Sequence, residues 1–317
     1  MIYTVTLNPA VDKELVVPAI ELDTVLRSQA INVDYGGKGF NVSRMLESLG
    51  GSSVALGFAG GHNGELLRDG LESLGIESDF VWVDGETRTN VSIVTEIPSH
   101  YIKVNEPGPA ISPAAREALR DKVRALARAG DWWVLAGSLP PGVPPTIYTG
   151  LIQDIQEAGA RVILDTSGEA LRQGCDGRPF QAKPNDVEIE QLTGFPVNSP
   201  AEIARAAKAM QDTGIDNVVV SLGKDGALLV DEHSVWQAAS PRITERNPIG
   251  AGDSMVGGLV WGLSEGLSVP EALRWGIACG ASTASMSGTA VGSRQMVEEL
   301  LPRVKLTEFS DPAAAAS

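Results

Sequence analysis

The stretch Ile249-Gly250-Ala251-Gly252-Asp253-Ser254-Met255 places a carboxylate directly behind two glycines, at the start of an apolar run of helical period. Glycine lets the backbone pass close to a ligand, and the first amides of a helix lack partners and carry the positive end of its dipole. We therefore expect an anion over residues 251–253, with Asp253 near a substrate hydroxyl as a general base. The alternative is a tight loop in which Asp253 only caps the helix.

Short apolar runs alternate with longer runs of helical period on both sides of that stretch. The short runs at residues 2–7, 54–58, 132–136, 162–165, 218–222 and 227–230 are predicted strands. The predicted helices cover residues 41–49, 64–74, 113–129, 145–158, 200–213 and 270–287. This alternation predicts an α/β fold with a doubly wound, mostly parallel sheet, helices on both faces, and ligands at the carboxyl ends of the strands.

Two segments, residues 13–35 and 88–108, break this alternation because they are rich in β-forming and polar residues without helical period. We expect them to build a small β-sheet lid over a core formed by residues 1–12, 36–87 and 109–310. A lid of this kind excludes water from a reaction that would otherwise hydrolyse its phosphoryl donor. Residues 311–317 have nothing to bury and are expected to be a disordered tail.

The composition excludes several classes of partner. A net charge of −15 and a pI near 4.7 argue against nucleic acid and against anionic membrane surfaces. The only two cysteines, Cys175 and Cys279, are far apart and show neither a disulfide framework nor zinc-ligand spacing. The first residues lack a basic segment and the apolar length of a signal peptide, so we expect a cytoplasmic protein.

A second glycine-rich turn, Tyr35-Gly36-Gly37-Lys38-Gly39-Phe40-Asn41, precedes a predicted helix. It is not a Walker A loop, because Phe40 stands where that motif needs serine or threonine. Lys38 is suited to a phosphate or hydroxyl and Asn41 to a sugar hydroxyl; a tight turn with a solvated lysine is the alternative. Asp12 follows the first predicted strand, where a carboxylate can bind sugar hydroxyls or simply stabilise a turn.

The segment Lys183-Pro184-Asn185-Asp186-Val187-Glu188 ends a predicted strand and opens a helix. Asn185 and Glu188 are three residues apart and share a face, and both offer oxygen ligands. Magnesium keeps several waters and needs few protein ligands, so this pair could recruit it beside nucleotide phosphates. A helix-capping box has the same spacing, and the two explanations are compatible.

Other candidates are weaker when taken singly. Ser221-Leu222-Gly223-Lys224-Asp225-Gly226 joins two predicted strands, either as a turn under a nucleotide or as an ordinary hairpin turn. Arg27 and Arg88 lie in the two predicted lid segments, where a guanidinium can bind a phosphate with two hydrogen bonds. Solvation at the surface is the alternative for each arginine.

Together these segments resemble the pfkB, or ribokinase-like, family of carbohydrate kinases, in the right order over nearly the whole chain. The resemblance is strongest to the hexose-phosphate branch, which includes 1-phosphofructokinases, tagatose-6-phosphate kinases and minor 6-phosphofructokinases. The motifs that carry it are Thr6-Leu7-Asn8-Pro9-Ala10-Val11-Asp12, Thr87-Arg88-Thr89-Asn90, Ala136-Gly137-Ser138-Leu139-Pro140-Pro141-Gly142, Asp165-Thr166-Ser167-Gly168-Glu169 and Gly250-Ala251-Gly252-Asp253.

The resemblance implies a ribokinase-like fold and an enzyme that uses ATP and Mg²⁺ to phosphorylate a ketohexose phosphate. Fructose 1-phosphate is the expected substrate, with tagatose 6-phosphate or fructose 6-phosphate as alternatives, and a homodimer through the lid is expected. The implied roles are a catalytic base (Asp253), amides that hold the transferred phosphoryl (Gly250, Ala251, Gly252), sugar ligands (Asp12, Gly37, Lys38, Asn41), ligands of the sugar's phosphate (Arg27, Lys38, Arg88, Ser138), nucleotide contacts (Lys183, Ser221, Gly223, Gly226) and magnesium ligands (Asn185, Glu188).

One segment departs from the family pattern. Asn247-Pro248-Ile249 stands where the family commonly has a threonine, and proline removes both a hydroxyl and an amide donor. A monovalent-cation site or nucleotide contact made by that threonine is therefore in doubt. Two further hypotheses are a non-catalytic sugar sensor, disfavoured by the intact Asp253 turn, and a kinase of neutral sugars, disfavoured because Arg27 and Arg88 call for an anion.

Overall fold

A computed structural model describes residues 1–95, 100–288 and 290–309, which contain fourteen β-strands and ten α-helices. The strands are β1 (Ile2–Thr6), β2 (Ala10–Val16), β3 (Ala30–Gly36), β4 (Val54–Ala59), β5 (Glu77–Trp82), β6 (Arg88–Thr95), β7 (His100–Asn105), β8 (Trp132–Ala136), β9 (Arg161–Asp165), β10 (Gln181–Ala182), β11 (Asn217–Ser221), β12 (Ala227–Val230), β13 (Val235–Ala239) and β14 (Lys305–Phe309). The helices are α1 (Lys38–Ser48), α2 (Gly61–Ser73), α3 (Pro113–Leu126), α4 (Ile147–Glu157), α5 (Gly168–Cys175), α6 (Asp186–Thr193), α7 (Pro200–Gln211), α8 (Ala251–Ser264), α9 (Val269–Ala284) and α10 (Arg294–Leu300).

Ten strands form one large sheet in the order β14-β13-β12-β11-β10-β9-β8-β1-β4-β5. The strands from β11 to β5 run parallel, and β12, β13 and β14 add an antiparallel edge. The predicted mostly parallel α/β fold is therefore confirmed. The sequence patterns missed several elements, among them β5, β13 and β14, whose alternation of buried and exposed residues is weak.

Both faces of the large sheet are buried, as expected for parallel strands crossed by helices. Alternate residues of β8 show this: Trp133 and Leu135 pack in a cluster with α3 to α7, whereas Trp132 and Val134 pack in a second cluster with α1, α8, α9 and α10. Burying one such large apolar side chain contributes about 1.5–3 kcal/mol. The sheet is thus a stable frame whose carboxyl edge positions polar residues.

Four strands form a separate small sheet in the order β3-β2-β6-β7, within or beside the segments predicted as a lid. Its start differs from the prediction: β2 begins at Ala10, so Asp12, which was expected at the edge of the main sheet, lies on the small sheet opposite Asp34 and Asn90. The other face of the small sheet is mainly apolar: Leu15 pairs with Ile31 and Ile93, and Lys13 is its charged residue on β2. The predicted tail, residues 311–317, lies outside the described residues.

Candidate active site

The glycine turn lies directly before a helix, α8, as the sequence predicts, but one of the amides expected to be open, that of Ala251, is not. Gly250 adopts φ 79°, a left-handed conformation that favours glycine, and α8 begins at the next residue. Asp253 is the third helical residue and is only 6% exposed. The amide of Ala251 donates to the Pro248 carbonyl at 3.2 Å, whereas in the described part of the chain the amides of Gly252 and Asp253 donate to no acceptor. The turn therefore presents two open donors beside the carboxylate.

The second glycine turn meets the first. Lys38 opens α1, and its Nζ lies 2.7 Å from Asp253 Oδ1, while Asn41 Nδ2 donates to Asp253 Oδ2 at 2.8 Å. Gly37 caps α1 with φ 152°, and a Cβ at that residue would lie 2.8 Å from the Thr6 side chain. A glycine is therefore needed for α1 to approach the end of β1. The two glycine turns, 215 residues apart in the chain, form one cluster.

Asp165, the last residue of β9, is the residue that the sequence reasoning missed. Its Oδ2 lies 3.1 Å from Lys38 Nζ and its Oδ1 lies 3.1 Å from Lys183 Nζ, and Asp165 is 3% exposed. Burial alone would raise the pKa of Asp165, but the ammonium groups of Lys183 and Lys38 outweigh it and lower that pKa. The available signal was its position at the carboxyl end of a buried strand.

Lys38 lies between two carboxylates. Burial would lower the pKa of its ammonium group, but Asp165 and Asp253 outweigh burial and raise that pKa well above its usual value. Lys38 is therefore charged at every physiological pH. The cluster contains two negative and two positive groups when Lys183 is included, so each buried charge has a partner.

The predicted nucleotide and magnesium residues also come together. Asn185 and Ser221 form an isolated parallel bridge, next to Lys183 at the end of β10. Asn185 and Glu188 form the capping box: Asn185 Oδ1 accepts from the Glu188 amide, and Glu188 Oε2 accepts from the Asn185 amide, each at 2.8 Å. Glu188 Oε1 accepts no hydrogen bond from the described residues, so the cap leaves one carboxylate oxygen available.

The two glycines of the turn between β11 and β12 differ. Gly226 has φ 102°, and a Cβ there would lie 2.0 Å from the Ala238 carbonyl of β13, so packing alone requires glycine. Gly223 has φ 55°, but a Cβ there would have no neighbour within 4 Å. Open space in front of Gly223 fits the approach of a ligand, whereas Gly226 is explained by the sheet.

Arg88 and Ser138 line a cavity of about 580 Å³ at the carboxyl edge of the large sheet, together with Asn8 and Thr166. The Arg88 guanidinium donates to the carbonyls of Asn8 (3.0 Å), Pro9 (3.4 Å) and Glu106 (3.0 Å). These three hydrogen bonds leave two of its five N–H groups available for an anion. Burial lowers the pKa of Arg88, as expected for a cation that forms no ion pair with a carboxylate of the described residues.

Asp12 and Arg27 occupy very different positions. Asp12 Oδ1 accepts from Asn90 Nδ2 at 2.7 Å, burial raises the pKa of its carboxyl group, and a Cβ at Gly36 would lie 2.1 Å from Asp12 Oδ2. Arg27 is exposed in the connection between β2 and β3 and, among the residues that the structure describes, forms no ion pair. Its role at the sugar's phosphate stays a prediction.

Comparison with known proteins places this arrangement in a family. The model of the pfkB family of carbohydrate kinases matches residues 5–296. The chain belongs to this family. This carbohydrate kinase is 38% identical over 309 residues to a 1-phosphofructokinase of Bacillus subtilis (strain 168), covering 98% of this chain and 100% of that protein. The 1-phosphofructokinase of Escherichia coli (strain K12) is 34% identical over 309 residues, covering 98% and 99%.

Solved structures agree with the ribokinase-like fold of this pfkB kinase. The crystal structure of phosphofructokinase-2 from Escherichia coli in complex with potassium has a TM-score of 0.91 at 34% identity, covering 95% of this chain and 98% of that one. Arabidopsis thaliana ribokinase, complexed with ribose and ATP, has a TM-score of 0.75 at 22% identity and covers 95% and 98%, which supports the fold alone. As a carbohydrate kinase, the protein is a phosphotransferase.

The segment that departs from the family pattern is held by side-chain and backbone bonds. Asn247 donates its amide to the Ala284 carbonyl at 3.2 Å and its side-chain Nδ2 to the Gly288 carbonyl at 2.6 Å. Its Oδ1 accepts from the Ile249 amide at 3.0 Å. In this kinase, Asn247 therefore fixes the approach to the turn at Gly250 where Pro248 lacks a donor. No helix in the described ranges is long and apolar enough to cross a membrane.

Proposed function

We propose that this kinase is a 1-phosphofructokinase, which transfers the γ-phosphoryl group of ATP to the 6-hydroxyl of fructose 1-phosphate and yields fructose 1,6-bisphosphate and ADP. Relatives named 1-phosphofructokinase, 32–38% identical over nearly the whole chain, support the substrate. The single observation that carries the chemistry is the buried Asp253 carboxylate beside two open amides at the start of α8.

In this reaction Asp253 accepts the proton of the attacking hydroxyl as its oxygen bonds to the γ-phosphorus. The bond from that phosphorus to the bridging oxygen of ATP breaks, and ADP leaves with the electron pair. Phosphoryl transfer depends mainly on positioning and on stabilisation of the transferred charge. The open amides of Gly252 and Asp253, the turn at Gly250 and the Lys38 ammonium supply that stabilisation.

The phosphate already on the sugar fits the cavity that Arg88 and Ser138 line. The two free N–H groups of Arg88 can donate to phosphate oxygens, and such charge-assisted hydrogen bonds are about twice as strong as neutral ones. Asp12 on the small sheet and Asn41 on α1 then flank the sugar ring. Arg27 is a further candidate only if the connection between β2 and β3 moves toward the cavity.

For the nucleotide we assign Lys183, Ser221 and Gly223, with Gly226 shaping the turn. Asn185 and Glu188 fit a magnesium ion that arrives with ATP, because the capping box leaves Glu188 Oε1 available. No group of three or more His, Cys, Asp or Glu side chains able to hold a metal occurs in the described ranges, so nucleotide phosphates and water would complete the coordination. Magnesium would neutralise phosphate charge there.

We further propose that the small sheet is a lid and the contact surface of a homodimer. On its outer face, Ile31 is 56%, Val33 is 52% and Val104 is 60% exposed. On the same face Leu15 pairs with Ile31 and Ile93, and Lys13 lies between Val33 and Val91. Exposed apolar side chains grouped in this way are typical of a protein–protein contact. The opposite face carries Asp12, so one small sheet would serve both the sugar and the second subunit. We place the reaction in the cytoplasm, where ATP is available and the free thiols Cys175 and Cys279 stay reduced.

A coupled assay of ADP release with fructose 1-phosphate, fructose 6-phosphate, tagatose 6-phosphate and ribose tests this function. We expect kcat/KM for fructose 1-phosphate to exceed each of the others by about tenfold or more, as one well-formed charge-assisted contact would give. A higher kcat/KM for tagatose 6-phosphate or fructose 6-phosphate would replace the substrate assignment, and a preference for ribose would contradict the phosphate site at Arg88.

A further inference from the structure

The mechanism above leaves Asp165 without a role. This carboxylate is 3% exposed and contacts two ammonium groups, one from the turn that binds the sugar and one from the loop assigned to the nucleotide. Lys38 opens α1 and Lys183 follows β10, so Asp165 joins two parts of the site that are far apart in the chain.

Four charged side chains form a row of alternating sign, in the order Asp253, Lys38, Asp165 and Lys183. Lys38 Nζ lies 2.7 Å from Asp253 Oδ1 and 3.1 Å from Asp165 Oδ2, so it bridges the two carboxylates and a small movement brings it closer to either one. The Lys38 side chain is 39% exposed, and the side chains of Asp165 and Lys183 are 4% and 6% exposed, so the Asp165 carboxylate depends on these two ammonium groups. Leaving a buried charge without its partner is strongly unfavourable, so changes along the row are linked.

The row of charges determines how accessible the Asp253 carboxylate is to a substrate hydroxyl. Lys38 and Asn41 each donate a hydrogen bond to one oxygen of the Asp253 carboxylate. A sugar hydroxyl must find an acceptor on Asp253, which is easiest when Lys38 has moved fully to Asp165. That movement is favoured when Lys183 has turned toward the phosphates of ATP, because Asp165 then has only Lys38 as partner.

We infer that Asp165 is a positioning residue that couples the two substrate sites: binding of ATP draws Lys183 from Asp165, Asp165 takes Lys38 from Asp253, and the base becomes free for the sugar hydroxyl. This inference rests on the proposed function. Linkage makes the coupling reciprocal, so the sugar phosphate also favours nucleotide binding by the same factor.

Isothermal titration calorimetry of fructose 1-phosphate, with and without a saturating non-hydrolysable ATP analogue and Mg²⁺, measures this coupling without turnover. For the wild-type protein we expect the analogue to tighten fructose 1-phosphate binding by about tenfold, within the usual range of such couplings. In Asp165→Asn, Lys38 stays on Asp253, so fructose 1-phosphate binds weakly and the analogue changes its Kd by less than about twofold.

Lys183→Met gives an independent test. Asp165 then has only Lys38 as partner, so fructose 1-phosphate should bind as tightly without the analogue as the wild-type protein does with it. Asp154→Asn is the matched control. The Asp154 carboxylate, on α4, is also buried and pairs with two cations, Arg120 and Arg124 of α3, away from the site. It should keep the wild-type coupling and report the cost of losing a buried ion pair.

The outcomes separate the two proposals. Three results would each overturn the role of Asp165 without contradicting the proposed function. They are wild-type coupling in Asp165→Asn, no coupling in the wild-type protein, and weakened fructose 1-phosphate binding in Lys183→Met. If wild-type protein neither binds nor phosphorylates fructose 1-phosphate, the proposed function fails instead. If Asp165→Asn does not fold, judged by its circular dichroism against Asp154→Asn, the Lys183→Met result decides.

Discussion

The large and small sheets of this kinase differ in how far they are buried and in where they carry polar residues. The central parallel strands of the large sheet are buried on both faces, and two buried charged residues, Asp165 and Lys183, lie where β9 and β10 end. The small sheet is covered only at the end where Val11 and Tyr35 pack against α2, and it carries Asp12 on one face and exposed apolar residues such as Val104 on the other. The comparison indicates that the rigid sheet holds the groups for phosphoryl transfer and the small sheet recognises the sugar and a second subunit.

The largest effect should come from the large-sheet side. Asp253→Asn keeps the size of the side chain but removes the proton acceptor, and general-base catalysis contributes about 10²–10⁴-fold. We expect kcat to fall by about a thousandfold, with the Kd for fructose 1-phosphate changed by less than about threefold, measured by steady-state kinetics and calorimetry.

Asp154→Asn is again the control, because its loss affects only the contact between α3 and α4 and should leave kcat near the wild-type value. Near-normal turnover of Asp253→Asn would remove this residue as the base. The chemistry would then not depend on the turn at Gly250. The assignment of phosphoryl transfer to the large sheet and of sugar recognition to the small sheet would lose its main support.

An intermediate effect is expected where the small sheet joins the core. Arg88→Ala removes two donors to the sugar's phosphate, and hydrogen bonds to charged groups contribute about 1.5–3 kcal/mol. The KM for fructose 1-phosphate should rise by about 10–100-fold, with the KM for ATP within about twofold, measured in the same coupled assay.

Arg88→Lys keeps the charge and helps to interpret this variant, because a lysine cannot hold the carbonyls of Asn8, Pro9 and Glu106 at once. It should recover part of the lost affinity. Equal increases in the KM values for fructose 1-phosphate and ATP in Arg88→Ala would show that Arg88 does not bind the phosphate. Its role would then be to hold the chain segments at Asn8, Pro9 and Glu106, which join the small sheet to the core.

The smallest effect on the core is expected from the outer face of the small sheet. Val104→Lys places a charge on the proposed subunit contact, so light scattering should report monomers where the wild-type protein gives dimers. The melting temperature of the large-sheet core should change little. Val187→Lys on α6, where valine is 54% exposed, is the matched control and should stay dimeric. A dimer of Val104→Lys, or a wild-type monomer, would exclude this face.

The sequence predicted most of the fold, and the positions of the two glycine turns, because both depend on local patterns. Apolar runs located the core strands, and glycine turns located Gly250 and Gly37 at the starts of α8 and α1. The partnership of Lys38 with Asp253 could not be predicted, since it depends on how two helices meet in space. Asp165 was missed for the same reason: a lone aspartate acquires a role only through Lys38 and Lys183.

Gly226 shows a second reason why the sequence alone does not assign a role to each residue. A glycine in a turn between strands suggests ligand binding or a hairpin equally well, and only the 2.0 Å separation between its Cβ position and the Ala238 carbonyl reveals a packing requirement. Asp12 illustrates a third, because strand pairing decides which sheet a residue joins, and β2 pairs with β6 across 78 residues of chain. Long-range pairing is not encoded in local spacing.

A single-turnover measurement tests the division between the two sheets most directly. Enzyme in excess over labelled ATP is mixed with saturating fructose 1-phosphate and quenched within milliseconds, so that the rate of phosphoryl transfer is observed without substrate binding or product release. We predict that Arg88→Ala transfers phosphoryl within about tenfold of the wild-type rate, whereas Asp253→Asn is slower by about a thousandfold. Equal loss of this rate in both variants would contradict the account.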